Sequence, residues 1–144
     1  MKIVTGIDSV EIRRIEDLMG KERFFTEVLG ENEYIEYRER GLKSESIAGA
    51  FCAKEAFGKA LGTGVSGFSW NEVEILHNEK GKPYYYLSGK AKKIVEREGL
   101  VFELSITHTR TTATAIAIAY KKEEYRNEPV CGRRHPGRIY QGHR

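Results

Sequence analysis

Cysteine is scarce: of 144 residues only Cys52 and Cys131 carry a thiol, and they lie far apart. Two are too few for the disulfide framework of a small secreted domain. Together with the scattered histidines they show no zinc-ligand spacing. Cys52, set among Phe51, Ala53 and Ala56, is expected to be a reduced, buried thiol. Long apolar runs are also missing. None reaches the roughly 18 to 20 residues that a membrane helix requires. Residues 1–6 enter a strand pattern at once and lack the apolar region and cleavage site of a secretory signal, so the expected address is cytoplasmic. The G-x-x-x-x-G-K-[ST] phosphate loop is absent, and there is no internal repeat.

Positive charge is short too, outside one place. The formal charge is +3, yet residues 121–144 alone hold seven Lys or Arg and three Glu, a net of +4, so the other 120 residues carry −1. The basic character therefore belongs to the tail and is poor support for nucleic-acid binding by the body. The tail has few aliphatic residues, two prolines and three glycines. It is expected to be a flexible, basic C-terminal extension to a domain spanning residues 1–120. Hydrophobic residues at 40% and charged residues at 31% are ordinary for a globular chain of one domain.

Periodicity supplies the elements. Residues 3–7 read as a short buried strand ending at Asp8, and Val10, Ile12, Ile15, Leu18 and Met19 mark one helix face stopped by Gly20. Phe24, Phe25, Val28 and Leu29 suggest a further turn or two closed by Gly30, and residues 32–40 a third helix with Tyr34, Ile35 and Tyr37 apolar. The alanine-rich segment 46–61 is the clearest helix, broken by Gly62-Thr63-Gly64. Strands follow at 72–77 and 84–87 around the turn ending in Gly81-Lys82-Pro83, then a helix at 88–98. Strands 101–107 and 113–120 are joined by a link too short for a parallel crossover, hence a hairpin. The mixed order predicts an α+β fold in which an antiparallel sheet packs with helices.

Three polar residues fall at or within apolar elements: Asp8, Glu55 and His108. Each has a plain structural explanation: Asp8 as a helix cap, Glu55 in a surface pair with Lys59 four residues on, His108 as a turn residue. Together they fit another chemistry. Magnesium takes hard oxygen ligands, usually one or two carboxylates with phosphate and water. Asp8 and Glu55 supply two carboxylates, Lys59 can hold a phosphate oxygen, and Gly62-Thr63-Gly64 allows close backbone approach to a ligand.

At this point three blocks stand out: residues 6–15 (GIDSVEIRRI), 51–64 (FCAKEAFGKALGTG) and 104–109 (LSITHT). In this order and at these separations the chain resembles the holo-acyl-carrier-protein synthases, the short class of 4′-phosphopantetheinyl transferases, over about residues 3–119. The resemblance implies transfer of the phosphopantetheine arm of coenzyme A to a serine of an acidic acyl carrier protein, with release of adenosine 3′,5′-bisphosphate. It implies Asp8 and Glu55 as magnesium ligands, and catalytic roles for Glu55, Lys59 and, in positioning, His108. Coenzyme A would be held by Lys59, Gly62, Thr63, Gly64, Pro83, His108 and Thr109. Arg14, Lys21 and Arg23 would dock the carrier protein, and the assembly would be a homotrimer with sites between subunits. Ala50 departs from the arginine common in relatives, which puts any phosphate contact from that position in doubt. Two rival readings remain: a nucleic-acid binder acting through Arg133, Arg134, His135, Arg138, Tyr140 and Arg144 of the tail, or another magnesium phosphotransferase. Neither a membrane nor a nucleic acid is the expected partner.

Overall fold

A computed structural model describes residues 2–122. Four helices and a strand precede a two-stranded hairpin, a fifth helix and a second hairpin: β1 (Ile3–Glu11), α1 (Ile12–Met19), α2 (Phe24–Val28), α3 (Glu31–Glu39), α4 (Ser44–Leu61), β2 (Val73–His77), β3 (Pro83–Leu87), α5 (Gly89–Glu98), β4 (Leu100–His108) and β5 (Thr112–Lys121). A single 3-10 turn, Trp70–Glu72, leads into β2. The larger sheet has the order β1-β5-β4, antiparallel throughout, and β2-β3 form a separate antiparallel pair. The α+β class expected from the sequence is observed. Among the described residues no helix is long and apolar enough to cross a membrane. The basic extension and Cys131 lie, from residue 123 on, outside the described residues.

Helix α4 is the centre. Twelve of its eighteen residues are buried, which is the pattern of a helix covered on nearly every side. It lies on the larger sheet, and the contact is built from small residues. Ala113, Ala115, Ala117 and Ala119 point at it from β5 and are fully or almost fully buried. On β1 the facing position is Gly6. A Cβ there would collide with the carbonyl oxygen of Ala56 and come within 2.7 Å of the Ala60 nitrogen. Glycine is therefore required by close approach of strand to helix.

The other face of the sheet is open. Period-two alternation puts Ile3, Thr5, Ile7 and Ser9 on it, with Ile3 58% and Ile7 57% exposed. Register adds Ile116, Ile118 and Tyr120 from β5 to the same face.

Three local expectations need correction. β1 does not stop at Asp8 but runs to Glu11, because its apolar period of two persists through Val10 while α1 begins only at Ile12. Asp8 is thus a mid-strand residue and not a cap; the residue before α1 is Glu11, which makes no side-chain cap bond. Ile35 of α3 is 53% exposed, since that short helix turns Glu33 and Tyr37 inward instead.

Candidate functional site

Asp8 stands two residues beyond Gly6 on the same face of β1, so the strand-to-helix contact carries it to the flank of α4. Glu55 and Lys59 occupy that flank one turn apart. Lys59 Nζ lies 3.3 Å from Asp8 Oδ1 and donates to the Ile7 carbonyl oxygen at 3.0 Å. The surface pair expected between Glu55 and Lys59 is not the one formed; the lysine turns to the strand, where a carboxylate and a backbone carbonyl meet it together.

Glu55 is half-buried, and its carboxyl is held above the ordinary range by burial first and then by the negative charge of Asp8, with Lys59 and Arg14 pulling the other way. The two carboxylates are therefore close enough to repel each other. Beside them Cys52 is fully buried and donates its thiol to the Ala113 carbonyl oxygen at 3.4 Å. Burial, then the charge of Asp8, pushes that thiol up to about 12. The reduced, buried thiol expected from the sequence is found at Cys52.

Arg14 belongs to this flank as well. Its guanidinium carbon sits 5.8 Å from the centroid of Phe51, over the ring. The Phe51 ring stacks in turn on Trp70 at 4.9 Å. Lys21 and Arg23 are exposed at the turn between α1 and α2.

Gly62 ends α4 at φ +85°, donating to the carbonyls of Gly58 and Lys59, and Gly64 N–H returns to the Gly58 carbonyl. The left-handed backbone here needs glycine. The glycine loop so begins one turn past Lys59, with Thr63 exposed on it. Pro83 opens β3 opposite His77.

His108 and Thr109 are placed elsewhere. Register puts His108 against Ala113, which itself pairs with Val10, so His108 stands two strands from β1, about 10 Å across the sheet. It lines an open groove of about 440 Å³ with Ile12, Glu16, Ser44, Glu45, Thr109 and Arg110. None of Asp8, Glu55 and Lys59 lines that groove. One chain brings together Asp8, Glu55, Lys59, Arg14 and the glycine loop, but leaves the His108 groove apart from them.

The donor set suits a hard divalent cation. Two carboxylates held near each other lose repulsion when a cation joins them, and the oxygen ligands match magnesium. Among the described residues no group of three or more His, Cys, Asp or Glu side chains could hold a metal alone. A two-carboxylate site completed by phosphate and water does not require one.

Sequence reasoning missed a buried network behind this flank. Lys54 and Glu33 are both fully buried and 2.7 Å apart. Lys54 also donates to the carbonyls of Val73 at 2.6 Å and Trp70 at 3.1 Å. The signal was present: Lys54 falls on the apolar stripe of Ile47, Ala50, Phe51, Phe57 and Gly58, where a lysine needs a partner.

Comparisons with known proteins follow this geometry. The family model described as the 4′-phosphopantetheinyl transferase superfamily matches residues 5–123. The holo-[acyl-carrier-protein] synthase of Thermoanaerobacter sp. (strain X514) is 44% identical over 126 residues, covering 86% of this chain and 91% of that protein. The one from Fusobacterium nucleatum is 44% identical over 120 residues, covering 82% and 98%. Among solved structures, the holo-[acyl-carrier-protein] synthase of Neisseria meningitidis superposes with a TM-score of 0.76 at 31% identity, covering 82% of this chain and 98% of that one. The Helicobacter pylori synthase in complex with coenzyme A superposes with a TM-score of 0.70 at 31% identity, covering 81% and 99%.

Proposed function

The chain belongs to the 4′-phosphopantetheinyl transferase superfamily, and from that premise we propose that it is a holo-acyl-carrier-protein synthase, moving the 4′-phosphopantetheine group of coenzyme A onto a serine of an apo-acyl carrier protein. The observation that carries this reading is the meeting of Asp8, Glu55 and Lys59 on one flank of α4, within a chain 44% identical to named synthases over most of its length.

The serine oxygen attacks the phosphorus on the pantetheine side of the diphosphate. The bond to the bridging oxygen breaks, and adenosine 3′,5′-bisphosphate leaves. Such a reaction asks the protein mainly for alignment and charge neutralisation. Asp8 and Glu55 would hold magnesium, which when bound neutralises diphosphate charge. Lys59 is assigned to stabilise the charge that grows on the bridging oxygen. Glu55 is the group we assign to accept the serine proton. The glycine loop from Gly62 to Gly64 and Pro83 are assigned to coenzyme A, and Arg14, Lys21 and Arg23 to the acidic carrier protein. The cytoplasm is the compartment we assign to the reaction.

The site is completed by a second copy in this reading. Two features support a homotrimer. Among the described residues, the outer sheet face carries exposed Ile3 and Ile7 beside half-buried Ile116 and Ile118, and apolar surface of that kind favours association. His108 and Thr109, assigned to positioning coenzyme A, face a different groove from Asp8 and Glu55, so a neighbour would supply them.

Incubation with coenzyme A and apo-acyl carrier protein tests the activity. Mass spectrometry should show the carrier gaining one phosphopantetheine group. An unmodified carrier, with authentic synthase active in parallel, would reject the assignment.

A further inference from the structure

We propose that Lys54 is a positioning residue for the transfer reaction: its buried ammonium fixes the rotation of α4, and with it the direction of Glu55 and Lys59, and pins the far end of the glycine loop. This rests on the reading of Glu55 and Lys59 given above.

The argument begins with the surfaces that α4 offers. Its buried residues are mostly Ala, Gly and Phe, and Lys54 alone among them is charged. Small apolar side chains set how closely a helix approaches a sheet. They resist rotation about its axis weakly, because one alanine replaces another with little change in contact. Lys54 is different. All three ammonium protons are used, on Glu33 Oε1, Val73 O and Trp70 O. An ammonium withdrawn from these acceptors inside the core would be costly, so the helix has one favoured angle.

The acceptors are themselves fixed. Glu33 accepts the Gly30 N–H at 2.9 Å through Oε1 and the Ile75 N–H at 2.8 Å through Oε2. Glu74 accepts the Glu33 N–H at 2.8 Å and the Asn32 amide at 3.1 Å. Gly30 precedes α3 without a side chain, so Glu74 supplies the cap from another element. A Cβ at Gly30 would strike that carboxylate. The cluster knots α3, β2 and α4 together.

Successive helical residues point about 100° apart. With Lys54 locked toward β2, Glu55 is turned out to the flank that Asp8 reaches. The Trp70 carbonyl closes the second link. The loop that leaves α4 at Gly62 meets the core at the buried Phe68 and ends at Trp70, where Lys54 holds its exit as Gly58 and Lys59 hold the entrance.

The test is the double variant Lys54→Met/Glu33→Gln, which removes both members of the ion pair while Glu74 keeps its Glu33 N–H and Asn32 donors, with Glu33→Gln alone as the change that strands the Lys54 charge and Glu55→Gln as control. Folding is followed by circular dichroism and rates are normalised to the folded fraction. The expected result is a folded double variant with kcat lowered about 10- to 100-fold, the size of effect that a misplacement near 1 Å produces. KM for the carrier protein should change less than kcat, since Lys21 and Arg23 lie on other elements and only Arg14 touches α4, through Phe51, and Glu33→Gln should lower kcat in its folded fraction too. A folded double variant with wild-type kcat overturns the proposal. So does failure of both variants to fold at low temperature, which would make Lys54 a core residue only. If Glu55→Gln keeps full activity, the reading of the site fails instead, and the two failures are told apart.

Discussion

Gly6→Ala joins fold and chemistry in one methyl group. The new Cβ would overlap the Ala56 carbonyl oxygen and lie 2.7 Å from the Ala60 nitrogen and 3.0 Å from the Ala56 carbonyl carbon. These are backbone atoms of a helix, so no side chain can swing away. Ordinary contact requires β1 and α4 to part by more than about 1 Å, a displacement of overpacking size that costs about 1–3 kcal/mol. For a domain of this length that is a fall in Tm of several degrees, on the order of 3–10 °C. The same displacement moves Asp8 on β1 away from Glu55 and Lys59 on α4, and at about 1 Å it should lower kcat by roughly 100-fold. Thermal unfolding and the carrier-protein mass shift, measured on the same sample, provide both numbers. Gly20→Ala is the control: its φ is −76° and the nearest atom to a new Cβ is 3.5 Å away, so neither Tm nor kcat should fall. A Gly6→Ala protein with unchanged Tm and rate would refute the close approach on which the site's geometry rests.

Further outcomes follow from other residues. Lys21→Glu/Arg23→Glu should raise KM for the acidic carrier about ten-fold at low salt and flatten its dependence on ionic strength, with kcat unchanged; a KM indifferent to both changes removes these residues from docking. Cys52 should stay unlabelled by iodoacetamide at pH 8 in the native protein and react fully once unfolded, because it is buried and its thiol is held up near 12; peptide mapping showing native labelling would contradict that burial. The Glu55 carboxyl is raised in the folded state, so the fold binds its proton more tightly than the unfolded chain does. The stability this contributes is present below the ordinary carboxylate range and lost as pH rises through the raised value. Glu55→Gln should therefore gain Tm relative to wild type between those limits and above, and magnesium should erase the difference by favouring the ionised pair.

Much of this is legible in the sequence. The alanine-rich run points to α4, the short link read at residues 108–112 points to the last hairpin, and Asp8, Glu55 and Lys59 stand out by type and position. What spacing could not give was direction. Asp8 looked like a cap because aspartate often caps, and only the pairing of all nine β1 residues with β5 shows it to be mid-strand. Glu55 and Lys59 share a helix face, yet the lysine prefers a partner 51 residues away; tertiary approach outweighed local spacing. Of the Lys54–Glu33–Glu74 cluster the sequence signals only Lys54, through its place on the apolar stripe of α4; its partners come from α3 and β2 and share no local pattern with it. The sequence reads His108 as a turn residue after a strand, whereas it is the last residue of β4 itself, and no pattern along one chain could reveal that neither Asp8 nor Glu55 lines its groove.

The central claim is that Asp8 and Glu55 act together on one divalent cation beside the diphosphate of coenzyme A. The direct measurement is the rate of carrier-protein modification by wild type, Asp8→Asn and Glu55→Gln, after chelation and across a magnesium titration. Wild type should lose activity with chelator and regain it with magnesium, while each variant falls by about 100-fold or more at every concentration with its fold intact. Transfer indifferent to chelator, or either variant working at the wild-type rate, would contradict the account.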